Sequence, residues 1–140
     1  MSSDKEDKDK AVDFLLVPTM TPHQVVSLLL SRYPTMRDLV CQDEHCFEEP
    51  TRVYDSFARV VIERSYDLDL IQSVVRFIDE LAERNDPLIK DVLISSLLAA
   101  IAESEQLARM ISRSISPRSK RLLQEVESKI YGRAPSAEET

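Results

Sequence analysis

Both cysteines of the chain and one of its two histidines fall in a single ten-residue stretch, CQDEHCFEEP, at positions 41–50. Carboxylates surround them, so three chemistries come into question: a metal site, a reactive thiol and a disulfide loop. Cys41, His45, Cys46 and Glu48 could supply the four N, S or O ligands that zinc takes. Zinc ligands, however, normally come from two spaced pairs. Here they form one cluster, C-x3-H-C, and the neighbours His45 and Cys46 must point in different directions. A cysteine nucleophile needs a base and an orienting group. His45 is adjacent and His23 could approach in space, but no glycine-rich oxyanion loop follows either cysteine. His23 falls in the first turn of a helix, where a positive charge is disfavoured, and reads as a surface or partly packed residue. A Cys41–Cys46 disulfide is geometrically conceivable. The first ten residues, MSSDKEDKDK, lack the apolar core of an export signal, and a reducing cytosol would keep both thiols free. The stretch is therefore expected to be a polar turn between helices, with Cys46 packed as a small hydrophobe. No resident metal or cofactor is expected, and no enzymatic activity. A small metal-binding or thiol-dependent enzyme built on His23, Cys41, His45 and Cys46 stands as the alternative.

Other chemistry-bearing residues are charged faces. Arg76, Asp79, Glu80 and Glu83 recur on one side of a helical segment and could meet a basic partner. The bland reading of such a face is solvation. SISPRSKR, Ser114 to Arg121, is basic and opens a helix that could receive an anion, although most such starts are simply hydrated. No P-loop, dinucleotide fingerprint or HExxH pattern occurs.

The elements that must hold these residues are helical. The chain has 140 residues, the size of one domain with a sizeable core, and only one glycine, Gly132. Hairpins draw on glycine for positive-φ turns, so its scarcity argues against an all-β fold. A formal net charge of −7 repels phosphate backbones and disfavours nucleic acid, while mildly favouring a basic protein partner. The longest weakly polar run, Val92 to Ala102, is too short to span a bilayer and reads as a buried helix.

Residues 1–13 alternate acids and lysines and are expected to be disordered. The apolar strip Ala11 to Pro18 could dock as an extended arm, and Phe14 to Val17 could swap between subunits of a homodimer. Thr21 and Pro22 open the first helix, which Pro34 stops, and Thr35 to Val40 reads as a short further turn of helix. Pro50 to Ser65 repeats Val53, Phe57, Val60 and Val61 on one stripe. Asp67 or Asp69 caps a helix to about Arg84, with Ile71, Val74, Val75, Ile78 and Leu81 inward and Asn85 as its C-cap. Asp86 and Pro87 start a helix that is apolar on most sides, apart from a narrow strip of Lys90, Asp91, Ser95 and Ser96. Such a helix must be covered on most sides and belongs at the centre. Glu105 to Ser114 forms a shorter helix. Ser116 and Pro117 cap the last one, which Gly132 ends before a flexible tail, 133–140. The expected fold is all-α: a single compact domain over 14–132 of five or six helices, with antiparallel hairpin-like packing around a central buried helix.

The run from Tyr54 to Glu127, with YDSFARVVIER, VVRFIDELAERNDPLIKDVLISSLL and SPRSKRLLQEVE, resembles a family of small bacterial all-helical domains of unknown function, similar to the immunity proteins that accompany toxins. Tyr54, Phe57, Ala58, Arg59, Phe77, Leu81, Pro117, Arg118 and Leu122 carry the resemblance, while Ser116 stands where the family often has glycine. The resemblance implies the helical fold and no established biochemical activity. Together with the acidic balance and the lack of a catalytic constellation, it leads to the expectation of a cytoplasmic interaction protein that occludes a partner's surface with a preformed acidic face. A homo-oligomeric structural module is the remaining alternative.

Overall fold

The computed structural model describes residues 19–132. The expected disordered tail 1–13, the strip Phe14 to Val17 and the tail 133–140 lie outside the described residues. Within them all regular secondary structure is helical.

Helix α1 spans Pro22–Arg32. Thr21 and Gln24 close a reciprocal capping box: the Gln24 amide donates to Thr21 Oγ1 at 3.1 Å, and the Thr21 amide donates to Gln24 Oε1 at 2.9 Å. A 3-10 turn at Pro34–Met36 runs into α2, Arg37–Val40. A second 3-10 turn, Glu44–Glu48, bridges to α3 at Pro50–Glu63. Helix α4 spans Leu68–Glu83, and its cap is Asp67 rather than Asp69: Asp67 Oδ1 accepts the Leu70 amide. Its C-cap is Arg84, one residue before the expected Asn85.

Helix α5, Pro87–Val92, continues without a break through a π-helical segment, Leu93–Leu98, into α6, Ala99–Glu103. This rod is the expected central helix. Its π segment packs against α3, α4 and α8, Pro117–Tyr131. Leu93, Leu97, Leu98 and Ile101 are all fully buried. The narrow polar strip is one residue narrower than its sequence suggests. Ser95 stays outside and donates to Asp91, but Ser96 is buried and donates to the Thr51 carbonyl at 3.2 Å. A 3.6-residue period sets Ser96 three residues after Leu93 and four after Val92, on the buried stripe rather than beside Ser95.

Helix α7, Glu105–Ser112, stops two residues earlier than expected. Helix α8 begins with Ser116 accepting the Ser119 amide and ends at Gly132, whose φ of 67° is the left-handed conformation that glycine adopts without strain. The aromatic part of the core joins three helices. Tyr33 and Phe57 stand 4.8 Å apart, and Phe77 meets both edge-on. Such tilted and edge-to-face contacts suit the ring quadrupoles.

Asp86 ties the rod to the start of the described chain. It is 7% exposed. Oδ1 accepts the Leu88 and Ile89 amides, and Oδ2 accepts the Met20 amide at 2.6 Å. One carboxylate therefore caps α5 and fixes the entry to α1.

Candidate functional site

The 41–50 stretch is a turn between helices, as its composition suggests, but its thiols are not free. Cys41 and Cys46 are joined in a disulfide, with Cα atoms 5.3 Å apart, a separation ordinary for such a bond. The expectation of free thiols is thus corrected. The 3-10 turn folds the chain back within five residues, and both cysteines are buried against the core. Proximity of this kind is decided by local backbone geometry, whereas compartment reasoning addresses only whether the bond persists.

His45 points to solvent, and Asp43 Oδ1 accepts its backbone amide at 2.9 Å as the cap of that turn. His23 lies on α1 and stacks on Phe47, with ring centroids 4.5 Å apart and planes 17° apart. The Arg37 guanidinium stands 5.6 Å from the same Phe47 ring. His23 and Phe47 line a shallow surface cleft with Cys41 and Arg37. No three His, Cys, Asp or Glu side chains gather to hold a metal ion among the described residues. With both sulfurs bonded to each other, neither is a thiolate for a metal or a nucleophile for a substrate.

The predicted charged face on α4 divides. Arg76, Glu80 and Glu83 are exposed, and Asp79 is half-buried. Asp79 turns away from a partner's reach. Its Oδ1 accepts the Ser116 amide at 3.0 Å and the Ser119 hydroxyl at 2.6 Å. The N-terminus of α8 does receive an anion, and that anion is the protein's own carboxylate. Glu80 accepts the Arg32 guanidinium at 2.6 Å across to α1. This hydrogen bond raises the Arg32 pKa, against the opposing effect of burial. Arg32 also stands 5.5 Å from the centre of the Phe77 ring. Glu83 and Arg76 remain as solvent-facing charges.

Two residues that sequence reasoning passed over head this face. Tyr66 is 80% exposed and Leu68 is 62% exposed, at the turn from α3 into α4. Leu68 lies off the apolar stripe of α4, which was a usable signal. Tyr66 stands between helices, where periodicity says nothing.

Among the described residues no helix is long and apolar enough to cross a membrane. No family model matches the chain, and neither a curated protein nor a solved structure matches it.

Proposed function

We propose that this protein is a non-enzymatic interaction module that binds and occludes a partner protein, in the manner of an immunity protein. The outward face of α4 is the contact surface. The observation that carries this reading is the pair Tyr66 and Leu68, the two most exposed large apolar side chains described. Exposed aromatics at the head of a rigid helix are the kind of anchor that dominates protein interfaces. Below them Gln72, Arg76 and Glu83 continue along the same exposed side of α4. Beyond Asp67, which caps α4, and Glu80, which holds Arg32, Asp69 and Glu83 outweigh Arg76, so the partner surface is basic and encounter is speeded by charge. Asp79 belongs to the fold rather than to this contact.

The test is capture of the tagged protein from its native lysate at two salt concentrations, beside the variant Tyr66→Ala/Glu83→Lys. A stoichiometric, salt-sensitive partner that the variant loses supports the face. A partner held equally by both proteins would overturn it. Light scattering on the same pair assigns the face to a second copy of this chain if a dimer dissolves in the variant.

The reading places the module in the cytoplasm, where the glutathione pool works against the Cys41–Cys46 disulfide. Alkylation at harvest, followed by mass spectrometry of the peptide, decides that point. A persistent disulfide would move the protein to an oxidising compartment.

A further inference from the structure

We propose that a second surface, the cleft between the end of α4, the start of α5 and the first turns of α8, binds a small anion with an apolar body. The cleft has a volume of about 700 Å³, within the range of small-molecule sites. Its accessible apolar wall is formed by Ala82, Pro87 and Leu122. Around them stand four cations from different parts of the chain: Arg84 after α4, Lys90 on α5, and Arg118 and Arg121 on α8.

Three observations give this cleft its specificity for an anion. None of the four cations forms an ion pair among the described residues, whereas Arg32, Arg52 and Arg109 each hold a carboxylate. The gathering occurs in a chain with a net charge of −7, so it runs against the overall balance. The acids within the cleft do not cancel it. Asp86 already accepts three backbone amides, and Glu125 is one exposed carboxylate against four cations. The α8 N-terminus adds nothing, because Asp79 fills it.

The apolar walls decide between kinds of anion. A bare phosphate would meet the rim and leave Ala82, Pro87 and Leu122 wet. An amphiphile with a carboxylate or phosphate head places its chain on this wall and its charge among the arginines, where charge-assisted hydrogen bonds form. This site is separate from the α4 outer face, and its failure would leave the proposed function untouched.

The probes are octanoate, octanol and inorganic phosphate, titrated into the full chain while the methyl resonances of Ala82 and Leu122 are followed by NMR. Octanoate should bind at least about tenfold more tightly than octanol, the difference expected of one hydrogen bond to a charged group. The exposed double variant Arg118→Glu/Arg121→Glu should lose that difference, and Glu125→Gln should enlarge it. Circular dichroism confirms that the variants fold. Equal binding of octanoate and octanol, equal binding of octanoate and phosphate, or saturable shifts from none of them would each overturn the proposal.

Discussion

Asp79 on α4 accepts the Ser119 hydroxyl of α8 at 2.6 Å, across forty residues of chain. Ser119 is fully buried, so its hydroxyl has no water to turn to. The same oxygen accepts the Ser116 amide. Asp79→Ala should therefore cost about 1–3 kcal/mol, the price of leaving a buried donor unsatisfied. Glu83→Ala, a few residues away on the exposed side, should stay within about 0.5 kcal/mol of the parent. Chemical denaturation of the two variants checks the contrast. Equal midpoints would show that Asp79 is a surface residue after all.

Asp86→Ala should release two ends at once. The amides of Leu88 and Ile89 lose their cap, and the Met20 amide loses its tether. Loss of an N-cap alone costs about 0.5–2 kcal/mol. Hydrogen exchange is the sharper measurement: the Met20, Leu88 and Ile89 amides should all exchange faster, with the interior of α3 little changed. Faster exchange at Leu88 and Ile89 alone would mean that the Met20 contact does not anchor α1.

Tyr54 and Tyr33 predict a loss of stability in alkali. The Tyr54 hydroxyl donates to the Val25 carbonyl at 2.9 Å, and burial pushes its pKa up. Burial also raises Tyr33, against the hydrogen bond with Ser73. Both fold as the neutral phenol, while an unfolded tyrosine ionises at about pH 10. Their contribution is whole below about pH 10 and falls away as the pH rises from there towards the folded values. The parent should lose stability above about pH 10 more steeply than Tyr33→Phe/Tyr54→Phe. Parallel curves would exclude these two groups as the cause.

Leu97 lies fully buried in the π segment of the central rod. Leu97→Ala should cost about 2–5 kcal/mol through lost burial and the cavity left behind. The denaturant midpoint should fall while the slope stays constant. A midpoint within error of the parent would show that the rod is not the centre of the core.

Much of this architecture is local and was legible in the chain. Thr21, Asp67, Asp86 and Ser116 each announce a helix start because a cap satisfies amides two or three residues away. Gly132 announces an end because the left-handed conformation there suits only a residue without Cβ. The stripe of α4 follows from a 3.6-residue period, and the near-continuous apolar character of Pro87 to Glu103 required a central place.

What tertiary structure decided are the pairings. Nothing near Asp79 says that its carboxylate caps a helix thirty-seven residues later. Nothing near Arg84 says that Arg118 and Arg121 will stand beside it. Packing of the rod on α3 gives buried Ser96 the Thr51 carbonyl as its acceptor, and a tight turn brings Cys41 within bonding reach of Cys46. Side chains distant in sequence meet only after the apolar stripes have chosen their partners. That choice depends on the shape of the whole core, whereas a cap or a period depends on the few residues around it.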